Sequence, residues 1–292
     1  MGWVRKAAGL LAVVVWGWVG AAGAASAAPA LWKVSDADSE IYLFGTLHAL
    51  TPGAKWRTPA YDAAYARAGT LWFEADMEKG DPSTIASILE RYGYDTRHRL
   101  SDKLDPRDLK VLAGQADVSR IEHLRPWAAA LMLSMQPAMG RGVTLEAGAD
   151  LTMTRAARKG AKQVRTFETL EDQARMFASL SEPAELRYLS GVIRERSQFR
   201  LTLKPPASLE EAWLAGDLAR LGPRLVGEMK AENPDFYEAL LKRRNLAWAE
   251  SLTGAMAGSG VELVNVGALH MVGDDGLPAL MAARGFTVER VQ

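Results

Sequence analysis

Two histidines in this sequence follow glycines at the same spacing. Residues 45 to 48 read Gly-Thr-Leu-His directly after the apolar letters "YLF", and residues 267 to 270 read Gly-Ala-Leu-His after "LVNV". In open parallel sheets, side chains that meet ligands lie just beyond the carboxyl ends of the strands. Gly45 and Gly267 would let the chain turn sharply there and let another group approach closely. The spacing therefore predicts that His48 and His270 stand together above one edge of a sheet.

An acidic residue ends another predicted strand. Glu74 lies in "TLWFEAD", residues 70 to 76, an apolar stretch that is typical of a short strand. Two imidazoles and one carboxylate form a common catalytic metal site with an open position for water. We therefore predict His48, His270 and Glu74 as ligands of a divalent ion. The alternative is that the histidines only make hydrogen bonds and that Glu74 belongs to an ion pair.

Other polar residues have more ordinary interpretations. His98 in "TRHRL" and His123 in "IEHLRP" lack a glycine-led strand exit, and we interpret both as structural or solvent-exposed. Asp274 and Asp275 precede an apolar segment and are predicted to cap its helix, an interaction worth about 1 kcal/mol. We place none of these four among the site residues; the alternative for Asp274 and Asp275 is a minor role at the site, because they are close to His270 in sequence.

The two motifs lie in segments with the same order of elements. The first segment is predicted to begin with a hairpin of two strands, residues 31–34 and 40–44. A helix at residues 59–69 and a strand at residues 70–76 follow. The second is predicted to form a strand, a helix and a strand: residues 261–266, 275–285 and 286–291. We therefore predict an α/β fold with a mixed central sheet built from two β-α-β halves, each carrying one Gly-x-x-His motif.

The middle of the chain, about residues 83–255, is predicted to be a large helical insert. Its segments carry apolar residues at helical spacing and begin near Asp, Thr, Pro or Asn. Between two of these helices, residues 161–168 are predicted to form a short strand. No long Ser/Gly or Pro tract divides the chain after the first segment. Residues 28–292 are therefore predicted to form one domain.

The composition excludes several classes of protein and site. The 35 Lys and Arg residues balance 35 Asp and Glu among 292 residues, so the chain has no basic excess and we predict that it binds no nucleic acid. There is no cysteine, which removes disulfides, thiol nucleophiles and thiolate metal sites. A metal ion would have to bind His, Asp, Glu or Asn.

Residues 1–27 have the pattern of a secretory signal peptide. Two basic residues precede an apolar stretch centred on residues 10–19, and the segment ends in Ala-Ser-Ala. We predict cleavage after Ala27 and a periplasmic or secreted protein. The alternative is an uncleaved anchor, because no charged residue interrupts the chain from Ala7 to Trp32. The membrane would then be contacted through this segment alone.

Taken together, these stretches resemble the TraB/GumN family, which also includes the Tiki-type secreted proteases and the pheromone-shutdown proteins. The stretches are "YLFGTLH" with "WFEAD", "GADLTMTRAARKGAKQVRTFETLEDQ", "RRNLAW" and "VNVGALHMVGDDGLPALMAARGFTVERV". The last is the most specific because it is long and ordered. The family more often has "GVD" and "LET" where this chain has Ala149 and Phe167, but the neighbouring carboxylates of Asp150 and Glu168 are kept.

The resemblance implies a mixed α/β fold related to the erythromycin esterase and haem-binding ChaN-like group, with both motifs at one centre. For the Tiki-type branch it implies metal-dependent peptide hydrolysis with manganese or cobalt, with zinc as a further option. Carried onto this sequence, His48 and His270 are metal ligands or catalytic residues, and Glu74 is a ligand or general base. The resemblance also places four further residues along the site: Asp150, Glu168, Arg244 and Asn245.

The leading hypothesis is an exported metal-dependent hydrolase that cleaves peptide bonds. In it, Glu74 or Glu168 accepts a proton from the attacking water, Arg244 stabilises the oxyanion and Asn245 orients the substrate. A second hypothesis is a protein that binds a peptide signal or haem without turnover. A third is a metal-free, esterase-like hydrolase in which His48 activates water directly. The sequence leaves open whether the substrate is a peptide or another small molecule, and it leaves the oligomeric state open.

Overall fold

A mixed sheet of six strands carries both histidine motifs. The structure is a computed structural model, and it describes residues 28–139, 142–202 and 209–292; the predicted signal peptide lies outside these residues. The strands are β1 Leu31–Ser35, β2 Ser39–Thr46, β3 Thr70–Phe73, β4 Gln163–Thr166, β5 Gly260–Gly267 and β6 Thr287–Arg290. Their order across the sheet is β4-β3-β5-β2-β1-β6. The predicted α/β class with a mixed sheet is confirmed.

The two motif strands are neighbours in this sheet. β2 and β5 run parallel, with Thr46 aligned with Gly267 at their carboxyl ends. β3 lies on the other side of β5 and is also parallel to it, whereas β1 returns from β2 as the predicted antiparallel hairpin. The chain therefore leaves β2, β5 and β3 at the same edge of the sheet.

The two β-α-β halves interleave instead of lying side by side. The second strand of the N-terminal half, β3, pairs with β5 of the C-terminal half. The second strand of the C-terminal half, β6, pairs with β1 at the opposite end of the sheet. This exchange puts β2 and β5 in the middle, where both faces are covered. Their apolar runs fit that position, because a parallel strand buried on two faces needs no polar alternation.

Several of the described helices begin where the sequence offers a side-chain cap. Thr58, Asp81 and Asp105 each precede a proline at the first helical turn and accept a backbone N–H with the side chain. The α-helices are α1 Pro59–Arg67, α2 Pro82–Tyr92, α3 Leu100–Lys103, α4 Pro106–Ala113, α5 Pro126–Met139, α6 Ala149–Lys159, α7 Leu170–Ala178, α8 Glu182–Thr202, α9 Leu209–Leu214, α10 Gly227–Glu232, α11 Pro234–Tyr237, α12 Arg243–Met256 and α13 Leu277–Ala283. Two π-helices, Arg220–Val226 and Glu238–Lys242, and a 3₁₀ turn, Ala268–Met271, lie between them.

Apolar side chains cover both faces of the sheet and fill the helical middle separately. One cluster packs α1 and α9 on one face through Phe44, Tyr61 and Trp213, and a second packs α12 and α13 on the other face through residues such as Trp248. A third cluster lies among α3, α4, α5 and α8, around Trp127. The sheet edge that carries the motifs is thus held between two packed layers.

The helical middle of the chain is as predicted in type. It contains α2 to α12, and the predicted short strand at residues 161–168 is β4. None of the helices within the described ranges combines the length and the apolar character that a membrane crossing needs.

Candidate active site

His48, Glu74 and His270 converge at the edge where β2, β3 and β5 end. Oε1 of Glu74 lies 3.7 Å from Nε2 of His270 and 4.0 Å from Nε2 of His48. Both distances exceed a hydrogen bond, so the two imidazoles face one carboxylate oxygen across a gap. Residues that are far apart in sequence therefore meet as the two motifs predict.

The motif glycines are required by space and not by backbone conformation. Neither Gly45 nor Gly267 is among the described residues with positive φ. The N–H of Gly267 donates to Oε1 of Glu74 at 2.6 Å, and a Cβ at Gly267 would lie 2.9 Å from that oxygen. A Cβ at Gly45 would lie 2.9 Å from the backbone of Ala268. Each glycine thus admits a neighbour that any side chain would displace.

His48 is held from behind by a carboxylate. Its Nδ1 lies 2.9 Å from Oδ2 of Asp150, and the other carboxylate oxygen accepts from the hydroxyl of Thr46 at 2.5 Å. Asp150 stands in the first turn of α6, which is fixed to the motif because Ala149 N–H donates to the carbonyl of Leu47. The charge of Asp150 outweighs burial and raises the pKa of His48 to about 9. The His48 side chain is 52% exposed, so solvent reaches it.

His270 is buried and neutral. Burial lowers its pKa to about 3, and the nearby charge of Glu74 only partly opposes this. Its Nδ1 lies 2.5 Å from Oδ1 of Asn245, and its Nε2 lies 3.1 Å from Nη1 of Arg244. These partners assign the proton to Nδ1, since the guanidinium can only donate. The ring also packs on Trp248, with centroids 4.4 Å apart.

Arg244 links the acidic residues of the site. Its Nη2 donates to Oε2 of Glu74 at 2.8 Å, and its Nε donates to Oε1 of Glu168 at 2.8 Å. Burial alone would raise the pKa of Glu74, but the guanidinium of Arg244, the charge of His48 and the N–H of Gly267 hold that pKa well below its ordinary value. Contacts to Glu168, Glu74, His270 and the carbonyl of Leu240 engage all five N–H groups of Arg244.

Adjacent residues of one helix serve this site together. Arg244 and Asn245 stand at the start of α12 and both are buried. The π-helix Glu238–Lys242 directly precedes them. Such wide turns shift the register of the side chains that follow and are frequent at functional sites. Asn245 also donates through Nδ2 to the carbonyl of Asp275 at 2.7 Å, so its amide is used to hold His270 and the loop beyond it.

The chain matches one known family over most of its length. The model of the TraB/PrgY/gumN family matches residues 30–290. The chain belongs to that family. Two curated relatives, both called "Uncharacterized protein YbaP" and found in Escherichia coli (strain K12) and Shigella flexneri, are each 27% identical to it over 158 residues. That match covers 53% of this chain and 55% of each relative, so the chain spans about half the length of the curated relatives it matches. No solved structure matches the chain.

Ala149 and Phe167, the two residues at which the sequence resemblance is incomplete, are well packed here. Ala149 is fully buried at the start of α6. Phe167 stacks between Trp72 and Trp248, with ring centroids 4.8 and 4.9 Å apart. Because the Trp248 indole donates to Glu168 at 3.2 Å, this aromatic stack helps to hold that carboxylate.

The centre of this TraB/PrgY/gumN member departs from a metal site at one point. Within the described ranges, no group of three or more His, Asp or Glu side chains is placed to hold a metal ion. The Nη1 of Arg244 lies 3.1 Å from Nε2 of His270. A metal bound to that nitrogen would sit about 2.0–2.1 Å from it, in the same direction. His48, His270 and Glu74 therefore do not fit a metal ion while Arg244 keeps this position, and their role as ligands stays a prediction.

Sequence reasoning missed three residues that support the centre. Thr46 lies inside the first motif and holds Asp150, so the motif already contained that signal. Gln173 on α7 lies 3.3 Å from Oε2 of Glu74, and Trp248 on α12 contacts His270. The last two lie in stretches on which the family resemblance rests, but nothing in their residue types indicated contact with the centre.

The predicted capping role of Asp274 and Asp275 is wrong. α13 begins at Leu277 with Gly276 at the N-cap, and no side chain caps it. The carboxylate of Asp275 accepts instead from the hydroxyl of Tyr237 at 2.5 Å. The loop after His270 is thus tied to α11. His98 and His123 are exposed, as predicted.

A polar cavity of about 510 Å³ opens beside the centre. It lies at the carboxyl ends of β3 and β4, between α2 and the start of α7. Glu168 lines the cavity and also binds Arg244. Ligands of open α/β sheets bind at this kind of edge, which makes the cavity a candidate for substrate contacts.

Proposed function

We propose that this protein is a hydrolase in which His48, held by Asp150, exchanges protons with the attacking water. One observation carries the proposal: Nδ1 of His48 is 2.9 Å from Asp150, while its Nε2 faces Glu74 across 4.0 Å. A water can bridge two such groups. The His48 side chain is 52% exposed, whereas those of Glu74 and His270 are 9% and 5% exposed. His48 is thus the member of the centre that substrate reaches.

In this mechanism the neutral imidazole of His48 takes a proton from water as the water attacks a carbonyl carbon, and the imidazolium then gives that proton to the leaving group as its bond to the carbon breaks. Asp150 stabilises the imidazolium that forms and keeps the ring oriented. Glu74 accepts a hydrogen bond from the same water and is itself fixed by Gly267 and Arg244. Arg244 engages its five N–H groups within the site, so an oxyanion role for it would require one of them to be released.

We propose peptide bonds as the substrate. The proposal is supported by the resemblance to the Tiki-type branch and by a cavity with a polar lining beside the centre. The curated relatives cover only part of the chain and carry no activity in their names, so the activity rests on the geometry of the site.

A metal-dependent form of the reaction is favoured by the hydrogen bonds behind the two rings. Nδ1 of His48 contacts Asp150 and Nδ1 of His270 contacts Asn245, which is how proteins orient histidines that ligate metals. Binding of Mn²⁺ or Co²⁺ by His270 would require Arg244 to move. Metal dependence is therefore the second candidate.

One experiment separates these functions. The purified chain is incubated with a peptide library, with and without EDTA, and with EDTA followed by excess Mn²⁺, and products are read by mass spectrometry. We expect cleavage that survives EDTA, and a loss of about a hundred- to ten-thousand-fold in the His48→Ala variant. His98→Ala, an exposed histidine paired with Asp95, is the matched control and should cleave normally.

The other outcomes each support a rival. Activity that EDTA abolishes and Mn²⁺ restores would replace the metal-free mechanism with the metal-dependent one. Peptides or haem that bind without any product would make the protein a binding protein. Cleavage that persists in His48→Ala would remove His48 from the mechanism.

We also propose that the protein is exported, on the pattern of residues 1–27. Mass measurement of protein expressed in a Gram-negative host should find a mature chain that begins at Ala28 in the periplasmic fraction. A full-length chain retained in the membrane fraction would support the anchor instead.

A further inference from the structure

The polar cavity beside the centre is the structural feature that the proposed mechanism does not use. It lies at the carboxyl ends of β3 and β4, and its volume of about 510 Å³ falls within the range of about 300–1,000 Å³ that ligand pockets occupy. Glu168 belongs to both the cavity wall and the ion cluster, so the cavity adjoins the centre at this residue. Any inference about it rests on the proposed function.

The order of the strands gives the distance from His48 to the cavity. His48 follows β2, whereas the cavity lies over the ends of β3 and β4, which are two and three strands away in the sheet. Strands are spaced by about 4.8 Å, so the cavity lies roughly 10–14 Å from the position where His48 meets substrate. An extended peptide rises about 3.3 Å per residue, so about three or four residues span that distance.

Among the described residues that line the cavity, Lys79 is the cation with the longest ion pair and the most exposed side chain. The three acidic residues of this lining each pair with an arginine: Asp76 with Arg158 at 2.5 Å, Glu168 with Arg244 at 2.8 Å and Glu171 with Arg91 at 2.8 Å. Lys79, by contrast, reaches only to 3.8 Å from Asp76, and its side chain is 80% exposed. Hydroxyl groups such as that of Ser87 complete the polar wall.

We infer that this cavity binds a carboxylate of the substrate peptide, three or four residues from the bond that is hydrolysed, with Lys79 as its cation. The carboxylate belongs either to an acidic side chain or to the C-terminus of the peptide. A cationic group of the substrate would be less favourable in this cavity. The acidic residues of the wall are already paired with arginines, and Lys79 would repel a second cation.

The test uses the full chain and peptides in which one Glu or Gln is moved along positions two to six from the cleaved bond, on either side. A second set compares a free C-terminus with an amide. We expect Glu at position three or four, or a free C-terminus at that distance, to lower KM about two- to fivefold with kcat unchanged, the size typical of an exposed ion pair. Lys79→Ala should remove this preference, Lys79→Glu should reverse it, and Lys79→Arg should keep it.

Two further variants serve as controls. Lys110→Glu changes an exposed lysine on α4 by the same charge and should leave the preference unchanged. Ser87→Trp places a large side chain at the cavity wall and should raise KM for long peptides but not for peptides too short to reach it. Equal KM values for Glu and Gln peptides, or the same loss in Lys110→Glu, would overturn the inference.

The same peptides distinguish failure of this inference from failure of the proposed function. If no peptide is cleaved, fluorescence anisotropy of labelled peptides gives their affinities. A carboxylate preference that depends on Lys79 would then keep the cavity as a ligand site while the hydrolase proposal fails. Affinities that are equal for Glu and Gln peptides would overturn the inference.

Discussion

Arg244 is the residue on which the charge balance of the site depends. It stands between Glu74 and Glu168, at 2.8 Å from each, and its side chain is only 9% exposed. Removing one member of a buried ion pair leaves an uncompensated charge, which costs about 3–5 kcal/mol. The ion pairs that set the electrostatics of the site therefore also contribute to the stability of the fold.

Arg244→Gln should thus lower the free energy of unfolding by about 3–5 kcal/mol, measured by urea denaturation at pH 7. Arg158→Gln is the control, because the Arg158 side chain is 41% exposed, and it should cost about 1 kcal/mol or less. Adding Glu74→Gln to Arg244→Gln should restore part of the loss. Equal effects of the two arginine variants would contradict the buried-charge account.

Glu74 should also make stability depend on pH. Its pKa is lower in the folded protein than its ordinary value of 4.5. The stabilisation by its charged form is then present above pH 4.5 and is lost as pH falls toward the folded pKa. We expect the unfolding free energy of the wild type to fall more steeply below pH 4.5 than that of Glu74→Gln. Parallel curves would show that Glu74 is not held in its charged form.

Asp150 should set the pH at which His48 becomes a base. Its charge raises the pKa of His48 to about 9, so the neutral imidazole that the mechanism needs increases up to that pH. We expect the cleavage rate to rise with pH to about 9 and then level off. In Asp150→Asn the rise of the cleavage rate should occur at lower pH and reach a lower maximum, as measured by kcat/KM at each pH. The NMR titration of His48 should show the same shift to lower pH. Activity that falls above pH 9 would make His48 a general acid.

At the scale of elements, each Gly-x-x-His turn packs closely against the end of a neighbouring strand, and the glycine leaves the room for this contact. Gly267→Ala would push its Cβ to 2.9 Å from Oε1 of Glu74, and Gly45→Ala would meet the backbone of Ala268 at the same distance. Gly254→Ala on α12 is the matched control, because its Cβ would meet nothing within 4 Å. We expect the motif variants to lose activity and stability, and the control to gain about 0.5–1 kcal/mol by helix propensity. Melting temperatures and cleavage rates check this, and a neutral Gly267→Ala would contradict it.

The elements also show how far the sequence could carry the fold. The strands around both motifs were predictable because their apolar runs end at glycines, and the convergence of His48, Glu74 and His270 followed from parallel strand ends. The interleaving of the two β-α-β halves was not predictable, because it depends on which strands pair over a long sequence separation. The π-helix before Arg244 and the bond between Asp275 and Tyr237 left no pattern in the residue types.

At the scale of the whole molecule, the separate helical core around Trp127 is connected to the active site through α7. Phe177 on this helix stacks on Trp127 in the separate helical core, with centroids 5.2 Å apart. One turn earlier on the same helix, Gln173 contacts Glu74. Loss of packing in the helical core is therefore expected to reach the site through the position of α7.

This connection predicts that the helical middle and the sheet unfold together, as one domain over residues 28–292. Leu189 on α8 is fully buried in the helical core, and Leu189→Ala should cost about 2–5 kcal/mol. Leu246→Ala, at an exposed leucine of α12, is the control and should change stability by about 0.5 kcal/mol or less. Calorimetry should find one transition that Leu189→Ala moves as a whole, with kcat unchanged well below it. A second transition that moves alone would mean that the helical middle folds as a separate domain, since only an independent core can melt while the sheet and its histidines stay in place.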